Sequence, residues 1–436
     1  KFNNDLADYL SDNYKSAVGS FDLYVTFVER GLQLVKPKGV MYYIMPVKWT
    51  NSSFGKGLRS ILCEKSFISS IINFEAYQVF EASTYTGIHC FKQSKSLAYL
   101  ELDRDMKNNQ ELQNYLSSIT YNDFVNININ TSEAWVLTNK KVNTVLEKLN
   151  KCPYRLSDVF DKIFQGIATS KDDVYFLYDC RVINPFEIEG YSKYLKKNVV
   201  IENGLVKPLL KGEDVHRYEP LSSDRFVIFP YDLSNDKAKL FSEQQIATLF
   251  PKGYLYLKEC EDELRGREKG RFNNDKWFMF GRGQGINYGG IPKLLAPEIS
   301  FGGNFMFDSN GQYYSTTKIY GYIKKANCLY SYKFLLGLLN SNLFWFFIQN
   351  TGYVLRGGYY TFKTNYVSPF PVPNYEAIDM RQVSMVENIV DDILHCKYEL
   401  TKDEIASYIK DIDKIIYQLY GLSSEDVKTV NLYATR

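Results

Sequence analysis

The sequence comprises 436 residues, more than one hydrophobic core usually contains, so we expect more than one domain. A hydrophobic fraction of 45% with a charged fraction of 23% is typical of a globular chain and excludes an intrinsically disordered one. The net charge of +2 excludes no class of partner, because only a local cluster of basic residues would indicate a nucleic-acid interface.

The seven cysteines are scattered singly, without a Cys-x-x-Cys pair, which predicts free thiols in a reducing compartment. No apolar run approaches the ~20 residues that a membrane-spanning helix needs, and no signal peptide precedes the first polar residues. We therefore expect a cytoplasmic protein without a membrane partner.

The first predicted elements are a helix and a buried strand. Apolar residues at 24, 27, 28, 32 and 35 share one face of a helix predicted over Leu23–Val35. The Pro and Gly of "KPKG" (36–39) end this helix. The run "VMYYIMP" (40–46) is apolar without alternation, which predicts a strand covered on both faces.

A second helix and two more strands follow. The helix carries Leu58 and Leu62 on its apolar face, and Ser52 or Ser53 is its predicted N-cap. Strands are predicted at 67–74 and 84–92. Together these elements predict the second half of a Rossmann-like, doubly wound sheet over residues 1–95.

The rest of the chain divides by pattern into three segments. Residues 96–151 predict a polar linker with helical content. Residues 152–375 predict a mixed, β-rich domain of short strands broken by Gly, Asn and Pro, with its clearest helix at 331–352. Residues 376–436 predict a C-terminal helical segment, because apolar residues recur there at a spacing of three or four.

A glycine-rich stretch, "FGRGQGINYGG" (280–290), superficially resembles a phosphate-binding loop. Such a loop needs a helix that begins directly after it. Here Gly289, Gly290 and Pro292 prevent a helix from starting, so we predict a flexible, exposed loop instead.

Basic residues cluster in the segment 264–293, which carries a net charge of +5. Its arginines lie near glycines, a pattern that suits a loop contacting DNA phosphates and base edges. A second stretch at 351–367 mixes basic residues with tyrosines and has no acid. The predicted DNA contacts are Arg265, Arg267, Arg271, Arg282, Arg356 and Lys363. The residues alone leave open a solvated loop packed over aromatic side chains.

Metal and nucleophile sites find little support in the sequence. His89, His216 and His395 lie far apart, with no second ligand at helical spacing, so we expect no metal site.

Phe80 poses a separate question, because it precedes the small polar residues "EAST" at the start of a strand. It is either a core residue or an aromatic platform on which a flat ligand stacks.

The order of these motifs resembles one enzyme family. The segments are "SAVGSFDLYVTFVERGLQLVKPKGVMYYIMPVKW" (16–49), "IINFEAYQVFEASTYTGIHCF" (71–91), "FQGIATSKDDVYFL" (164–177), "IPKLLAPEIS" (291–300), "VLRGGYYTF" (354–362) and "IDKIIYQLYGLSSEDV" (412–427). In this order they resemble the gamma-class adenine-N6 DNA methyltransferases, which include the TaqI-like and single-chain type IIG restriction–modification enzymes.

The resemblance implies a function and assigns roles to two residues. It implies that the later domain recognises a target sequence in double-stranded DNA, and that Phe80 stacks on an adenine flipped out of the duplex. It implies that Phe27 packs against the adenine ring of the cofactor S-adenosylmethionine, whose site lies mostly outside this chain. A restriction nuclease module, fused or separate, is a further partner that it allows.

One motif of the family does not occur. The catalytic tetrapeptide, Asn or Asp followed by Pro-Pro-Tyr or Pro-Pro-Phe, is absent from the 436 residues. We therefore expect the C-terminal portion of a methyltransferase that is inactive by itself. The alternative is a DNA-binding specificity subunit without catalysis, and residues 1–95 with Phe80 in place favour the former.

Overall fold

The computed structural model describes residues 4–75, 77–81, 85–102, 108–234, 237–396 and 399–434, apart from the side chain of Arg356. They form two compact units. Unit 1 contains Lys1–Glu147 and Gln349–Arg356, and unit 2 contains Lys148–Ile348 and Gly357–Arg436. The chain has the mixed α/β character that the sequence predicts.

Unit 1 is built on a single mixed sheet in the part of the chain that the structure describes. Its helices are α1 (Asn4–Asn13), α2 (Leu23–Leu34), α3 (Lys56–Lys65), α4 (Asn109–Ser118) and α5 (Lys140–Asn150), whose last turn belongs to unit 2. Its strands are β1 (Met41–Pro46), β2 (Ser70–Asn73), β3 (Thr86–Phe91), β4 (Leu97–Glu101) and β5 (Val125–Ile127).

The strand order is β1-β3-β2-β4-β5. Strand β3 runs antiparallel to both β1 and β2, which are therefore parallel to each other. Pro46 pairs with Thr86 and Asn73 with Gly87. The carboxyl ends of β1 and β2 thus meet the amino end of β3 at one edge of the sheet, which we call the carboxyl edge.

The buried face of α2 differs from the one that we predict from sequence. Val25, Val28 and Leu32 are buried, whereas Phe27 is 56% exposed. The acidic Glu29 is also buried, because its carboxylate accepts hydrogen bonds from the backbone of Lys15 (3.2 Å) and Ser16 (2.8 Å). The prediction used only the positions of apolar residues. It therefore placed Phe27 on the inner face and did not place the acidic Glu29 there.

Three further details of unit 1 depart from expectation. Strand β1 is not covered on both faces, since Tyr42 and Ile44 are exposed. The Ser52 hydroxyl donates to the Lys48 carbonyl (2.6 Å) and does not cap α3. The sheet continues past residue 95, because β4 and β5 belong to it, so the segment predicted as a linker contains sheet strands.

Unit 2 is larger and contains many short strands. Its strands are β6 (Tyr154–Arg155), β7 (Phe160–Gln165), β8 (Phe176–Asn184), β9 (Glu187–Ser192), β10 (Lys197–Glu202), β11 (Val206–Leu210), β12 (Phe226–Ile228), β13 (Tyr231–Asp232), β14 (Lys239–Leu240), β15 (Lys293–Pro297), β16 (Ile299–Ser300), β17 (Met306–Asp308), β18 (Tyr314–Ser315), β19 (Ile319–Lys324), β20 (Tyr360–Thr361) and β21 (Pro371–Val372).

The helices of unit 2 include several single turns. They are α6 (Leu156–Val159), α7 (Asp172–Tyr175), α8 (Glu243–Leu249), α9 (Pro251–Glu259), α10 (Glu261–Gly270), α11 (Tyr332–Leu339), α12 (Asn342–Thr351, whose last turn belongs to unit 1), α13 (Thr364–Val367), α14 (Met380–Cys396), α15 (Lys402–Leu419) and α16 (Ser424–Ala434).

Two larger sheets organise these strands. Among the described residues, one has the order β10-β9-β8-β12-β11-β18 and the other β17-β15-β19-β7. The first is covered by an aromatic core that includes Tyr175, Trp277, Phe280 and Tyr314. Aromatic residues make up 16% of the sequence, and this core contains many of them.

The helix predicted at 331–352 is divided in two. Asn340 ends α11, and its side-chain amide exchanges hydrogen bonds with the backbone of Phe305 (2.8 and 2.9 Å). The next helix begins where the Asn342 backbone N–H donates to the carboxylate of Asp413 (2.7 Å). Burial raises the pKa of that carboxyl to about 7.

The glycine-rich loop at 280–290 precedes strand β15, not a helix, as its Gly and Pro residues predict. It is not the flexible, exposed loop that we predict, because much of it is packed. A Cβ at Gly289 would lie 2.1 Å from the Tyr314 ring. The buried Lys293 Nζ donates to the Gly289 carbonyl (2.7 Å) and pairs with Asp308 (2.6 Å).

Within the described residues, no helix combines the length and apolar character that crossing a membrane requires. The seven cysteines are all free thiols. A search of the described part of the chain finds no cluster of His, Cys, Asp and Glu that could hold a metal ion.

Candidate nucleic-acid interface

Phe80 lies in the connection 74–85 between β2 and β3, at the carboxyl edge of unit 1. Its side chain is 48% exposed, so Phe80 does not fill the core. Residues 82–84, which complete the "EAST" segment, lie outside the described residues. In open α/β sheets, ligands bind outside the carboxyl ends of the parallel strands, so an exposed ring here is available to a ligand.

Phe27 lies in the amino half of α2, and the end of that helix leads into the amino end of β1. The amino end of α2 is therefore directed toward the carboxyl edge. This placement agrees with the contact of the Tyr24 ring with Phe54, which follows β1 (centroids 6.3 Å apart). Phe27 and Phe80 thus both present rings toward solvent from elements that meet this edge.

Lys48 adds a positive charge at the same edge. It follows the last residue of β1 by two positions, and its Nζ lies 4.8 Å from the ring centroid of Tyr353 and 5.8 Å from that of Tyr85. Asn51 donates to the Gly352 carbonyl (3.3 Å), which fixes the segment containing Tyr353 against this end of β1. This cluster was not predicted from the sequence, although Lys48 follows the apolar run 40–46, which predicts a strand, by two positions.

His89 supports the edge from inside the sheet. It is fully buried, and the Trp49 indole donates to its Nε2 (3.2 Å). The ring proton therefore lies on Nδ1, which donates to the Gly87 carbonyl (3.0 Å). Burial lowers the pKa of His89 to about 4, so the imidazole is neutral at physiological pH and acts as a core residue.

Arg267 corrects one of the predicted DNA contacts. It is only 5% exposed. Its guanidinium donates to four backbone carbonyls at 2.7 to 2.9 Å, those of Thr169, Leu264, Trp277 and Met279. It also lies 4.1 Å from the ring centroid of Phe272. Four of its five N–H donors are directed to backbone carbonyls inside unit 2, so we assign it a structural role and not one at DNA.

The other arginines of this segment remain at the surface. Arg265 pairs with Glu261 and lies over Trp277, with the guanidinium carbon 5.3 Å from the ring centroid. Arg271 and Arg282 are exposed and share one acidic partner, Glu268. The structure therefore brings Arg271 and Arg282 together and separates Arg267 from them by burial.

The second basic stretch is described in part. Lys363 is about half exposed, with its Nζ 3.9 Å from Glu298. The side chain of Arg356 lies outside the described residues. Beside Lys363, the exposed Tyr359 ring packs against Phe301 (centroids 5.8 Å apart). Aromatic and basic groups are therefore mixed at this surface as the sequence predicts.

Two regions of the chain match models of known protein families. Residues 1–80 match the model of the Eco57I restriction-modification methylase, and residues 207–372 match the TaqI-like C-terminal specificity domain. The chain is therefore similar to type II restriction–modification methyltransferases in both regions. The methylase match contains Phe27 and Phe80, whereas all the predicted arginine and lysine contacts fall within the match to the specificity domain.

Individual methyltransferases of this group are similar over most of the chain. The type II restriction enzyme and methyltransferase RM.Eco57I of Escherichia coli is 25% identical over 94% of the chain and 42% of its own length. The type II methyltransferase M.BstVI of Geobacillus stearothermophilus is 24% identical over 91% of the chain and 70% of its own length. The chain thus spans less than half of the E. coli relative.

A solved structure supports the same fold. The type IIL restriction-modification enzyme MmeI, determined in complex with DNA, superposes with a TM-score of 0.59 at 14% identity. The match covers 100% of this chain and 55% of the MmeI chain. At 14% identity this likeness shows that the two chains share a fold and carries no information on chemistry.

Proposed function

We propose that the chain is the target-recognition portion of a site-specific DNA adenine-N6 methyltransferase from a restriction–modification system. The observation that carries this proposal is the match of residues 207–372 to a specificity domain, in the region where exposed arginines gather. In this proposal residues 152–375 recognise double-stranded DNA in the cytoplasm. A nuclease module is a partner of the whole protein, in line with the name of the E. coli relative.

At the carboxyl edge, Phe80 receives the target adenine. Extruding a base from a duplex costs a few kcal/mol, and stacking on an aromatic face returns about 1–3 kcal/mol per base. Phe80 fits this role because it is 48% exposed, far more than a core residue would be. Lys48, which lies over the rings of Tyr85 and Tyr353, supplies a positive charge near the same strand ends.

The methyl donor in this proposal is S-adenosylmethionine, whose sulfonium supplies an electrophilic methyl group. Phe27 fits the adenine ring of this cofactor, since its side chain is exposed and lies in the amino half of α2. The residues that hold the adenine amino group in such enzymes are absent from these 436 residues. We therefore expect the chain by itself to transfer no methyl group from labelled S-adenosylmethionine to duplex DNA.

The test of this function is substitution of Phe80 in a longer protein that contains this chain together with the catalytic tetrapeptide. Phe80→Ala should lower the rate of adenine-N6 methylation about ten- to a hundredfold, which corresponds to the loss of one stacked base. Phe80→Trp should retain activity, because a larger ring still stacks. The rate is measured by mass spectrometry of N6-methyladenine in the DNA product.

Phe186→Ala is the matched control, because Phe186 is an exposed phenylalanine in the turn between β8 and β9. It should leave the methylation rate unchanged. Thermal melting of each variant separates stacking from folding. Phe80 would lose the stacking role if Phe80→Ala kept full activity, or if its melting temperature fell as far as that of a core deletion.

A further inference from the structure

Two of the exposed arginines in unit 2 are held by one acidic side chain. The carboxylate of Glu268 accepts a hydrogen bond from Arg282 at 2.7 Å and one from Arg271 at 3.1 Å. The Ser170 hydroxyl is a third donor at 2.9 Å. These donors lower the pKa of Glu268, with Arg282 the largest contribution, so the carboxylate is charged at neutral pH.

The backbone around Glu268 is unusual. Glu268 and Lys269 have φ values of 49° and 61°, in the left-handed region that side chains other than Gly and Asn rarely adopt. Gly270 follows with φ 83°. Such a turn persists only where its surroundings hold it, and the inward hydrogen bonds of Arg267 supply that hold directly before Glu268.

The arrangement therefore has a rigid inner part and an open outer part. Arg267 is buried and fixes the turn, whereas Arg271 and Arg282 reach Glu268 from the exposed side. A carboxylate and a phosphate present similar oxygens to a guanidinium group. The donors that now contact Glu268 are those that a DNA phosphate would need.

We propose that Glu268 competes with DNA phosphates for Arg271 and Arg282, and thereby weakens the binding of non-target DNA. This inference rests on the proposed function, because it assumes that the region meets DNA. Non-specific binding depends almost wholly on phosphate contacts. Because Glu268 occupies the two arginines, it weakens their phosphate contacts in DNA of every sequence. Base contacts at a target site still add their own binding free energy.

The test is the binding of the full 436-residue chain to a fluorescein-labelled duplex of mixed sequence, measured by anisotropy at several KCl concentrations. Glu268→Gln should tighten binding at low salt by about three- to tenfold. It should also steepen the dependence of log K on log salt by up to about 0.9 for each arginine released to a phosphate. Arg271→Ala and Arg282→Ala, each combined with Glu268→Gln, should remove the gain.

Glu189→Gln is the matched control. Glu189 pairs with the exposed Arg181 on the hairpin β8–β9, so its substitution changes the net charge equally and frees an arginine that does not contact Glu268. It should change affinity by less than about twofold. Glu268→Gly covers the case in which Gln disturbs the turn, because Gly adopts this φ without strain.

The results separate two failures. A parent chain that does not bind the duplex at low salt overturns the proposed function itself. A parent chain that binds, with Glu268→Gln and Glu268→Gly both equal to the Glu189→Gln control, overturns the competition alone. Weaker binding by both Glu268 variants also overturns it, because Glu268 would then position the arginines instead of competing for them.

Discussion

The carboxyl edge of unit 1 and the turn at Glu268–Gly270 in unit 2, with its neighbouring arginines, present their functional groups in opposite ways. Phe27 and Phe80 expose rings that a flat ligand could cover. The arginines near Glu268 are already paired, and Arg267 is buried altogether. An exposed ring keeps its full affinity for a ligand, whereas a paired cation offers only the difference between two partners. A count of basic residues therefore overstates the free positive charge of unit 2.

The largest expected effect tests the division between Arg267 and its exposed neighbours. Arg267→Ala leaves four carbonyls without their donor, so we expect unit 2 to lose about 3–5 kcal/mol of unfolding free energy. Arg271→Ala removes only an exposed pair and should cost less than about 1 kcal/mol. Urea denaturation followed by tryptophan fluorescence measures both. Equal stabilities for the two variants would contradict the structural role of Arg267.

A second comparison concerns the response of the two units to pH. His89 in unit 1 has a pKa lowered to about 4. As pH falls below about 6.5, this imidazole is therefore protonated in the unfolded chain before it is protonated in the folded chain. Unit 1 should lose roughly 3 kcal/mol between pH 6.5 and pH 4 from this group. Asp413 in unit 2 has a pKa raised to about 7, so its contribution is present below about pH 4 and is lost as pH rises through 7.

The stabilities of the two units should therefore change in opposite directions between pH 4 and pH 6.5. His89→Gln keeps an acceptor for Trp49 and should reduce the acid loss, and Asp413→Asn should flatten the neutral loss. Hydrogen exchange, read separately for peptides of each unit, measures both trends. Parallel pH profiles for each variant and the parent chain would refute the assigned shifts.

The smallest expected effect concerns Phe27. In a longer protein that contains this chain and the catalytic tetrapeptide, Phe27→Ala should weaken S-adenosylmethionine binding about tenfold, because one ring contact is lost. Leu34→Ala is the matched control, since Leu34 is exposed at the opposite end of α2. Isothermal calorimetry measures the affinity. If the two variants weakened binding equally, Phe27 would have no specific contact with the cofactor.

Sequence patterns predicted the elements that depend on apolar periodicity and on Pro or Gly punctuation. The helices carrying Leu32 and Leu58 and the strands β1, β2 and β3 are where these patterns place them, whereas β4 and β5 were not predicted. The failures involve polar residues that act on distant parts of the chain. Glu29 is buried by the backbone of Lys15 and Ser16, and Asn340 divides a helix through Phe305.

The candidate site was also predictable only where neighbouring residues determine the structure. The position of Phe80 in a loop between strands was readable from its neighbours, and the structure adds that its ring is exposed. The burial of Arg267 was not readable, because its acceptors are carbonyls from three separate segments, including Thr169 and Met279. Every residue has a backbone carbonyl, so the sequence does not indicate which carbonyls accept from Arg267.

Among the described residues, strand β1 forms one edge of the first sheet. Among the described strands it pairs with β3 alone, and its outward residues Tyr42 and Ile44 are exposed. A strand with an open hydrogen-bonding edge and apolar side chains is a template onto which another chain can add. Preparations of this polypeptide will therefore be most prone to self-association at high concentration, and a charged residue introduced at Tyr42 is the natural means of keeping it dispersed.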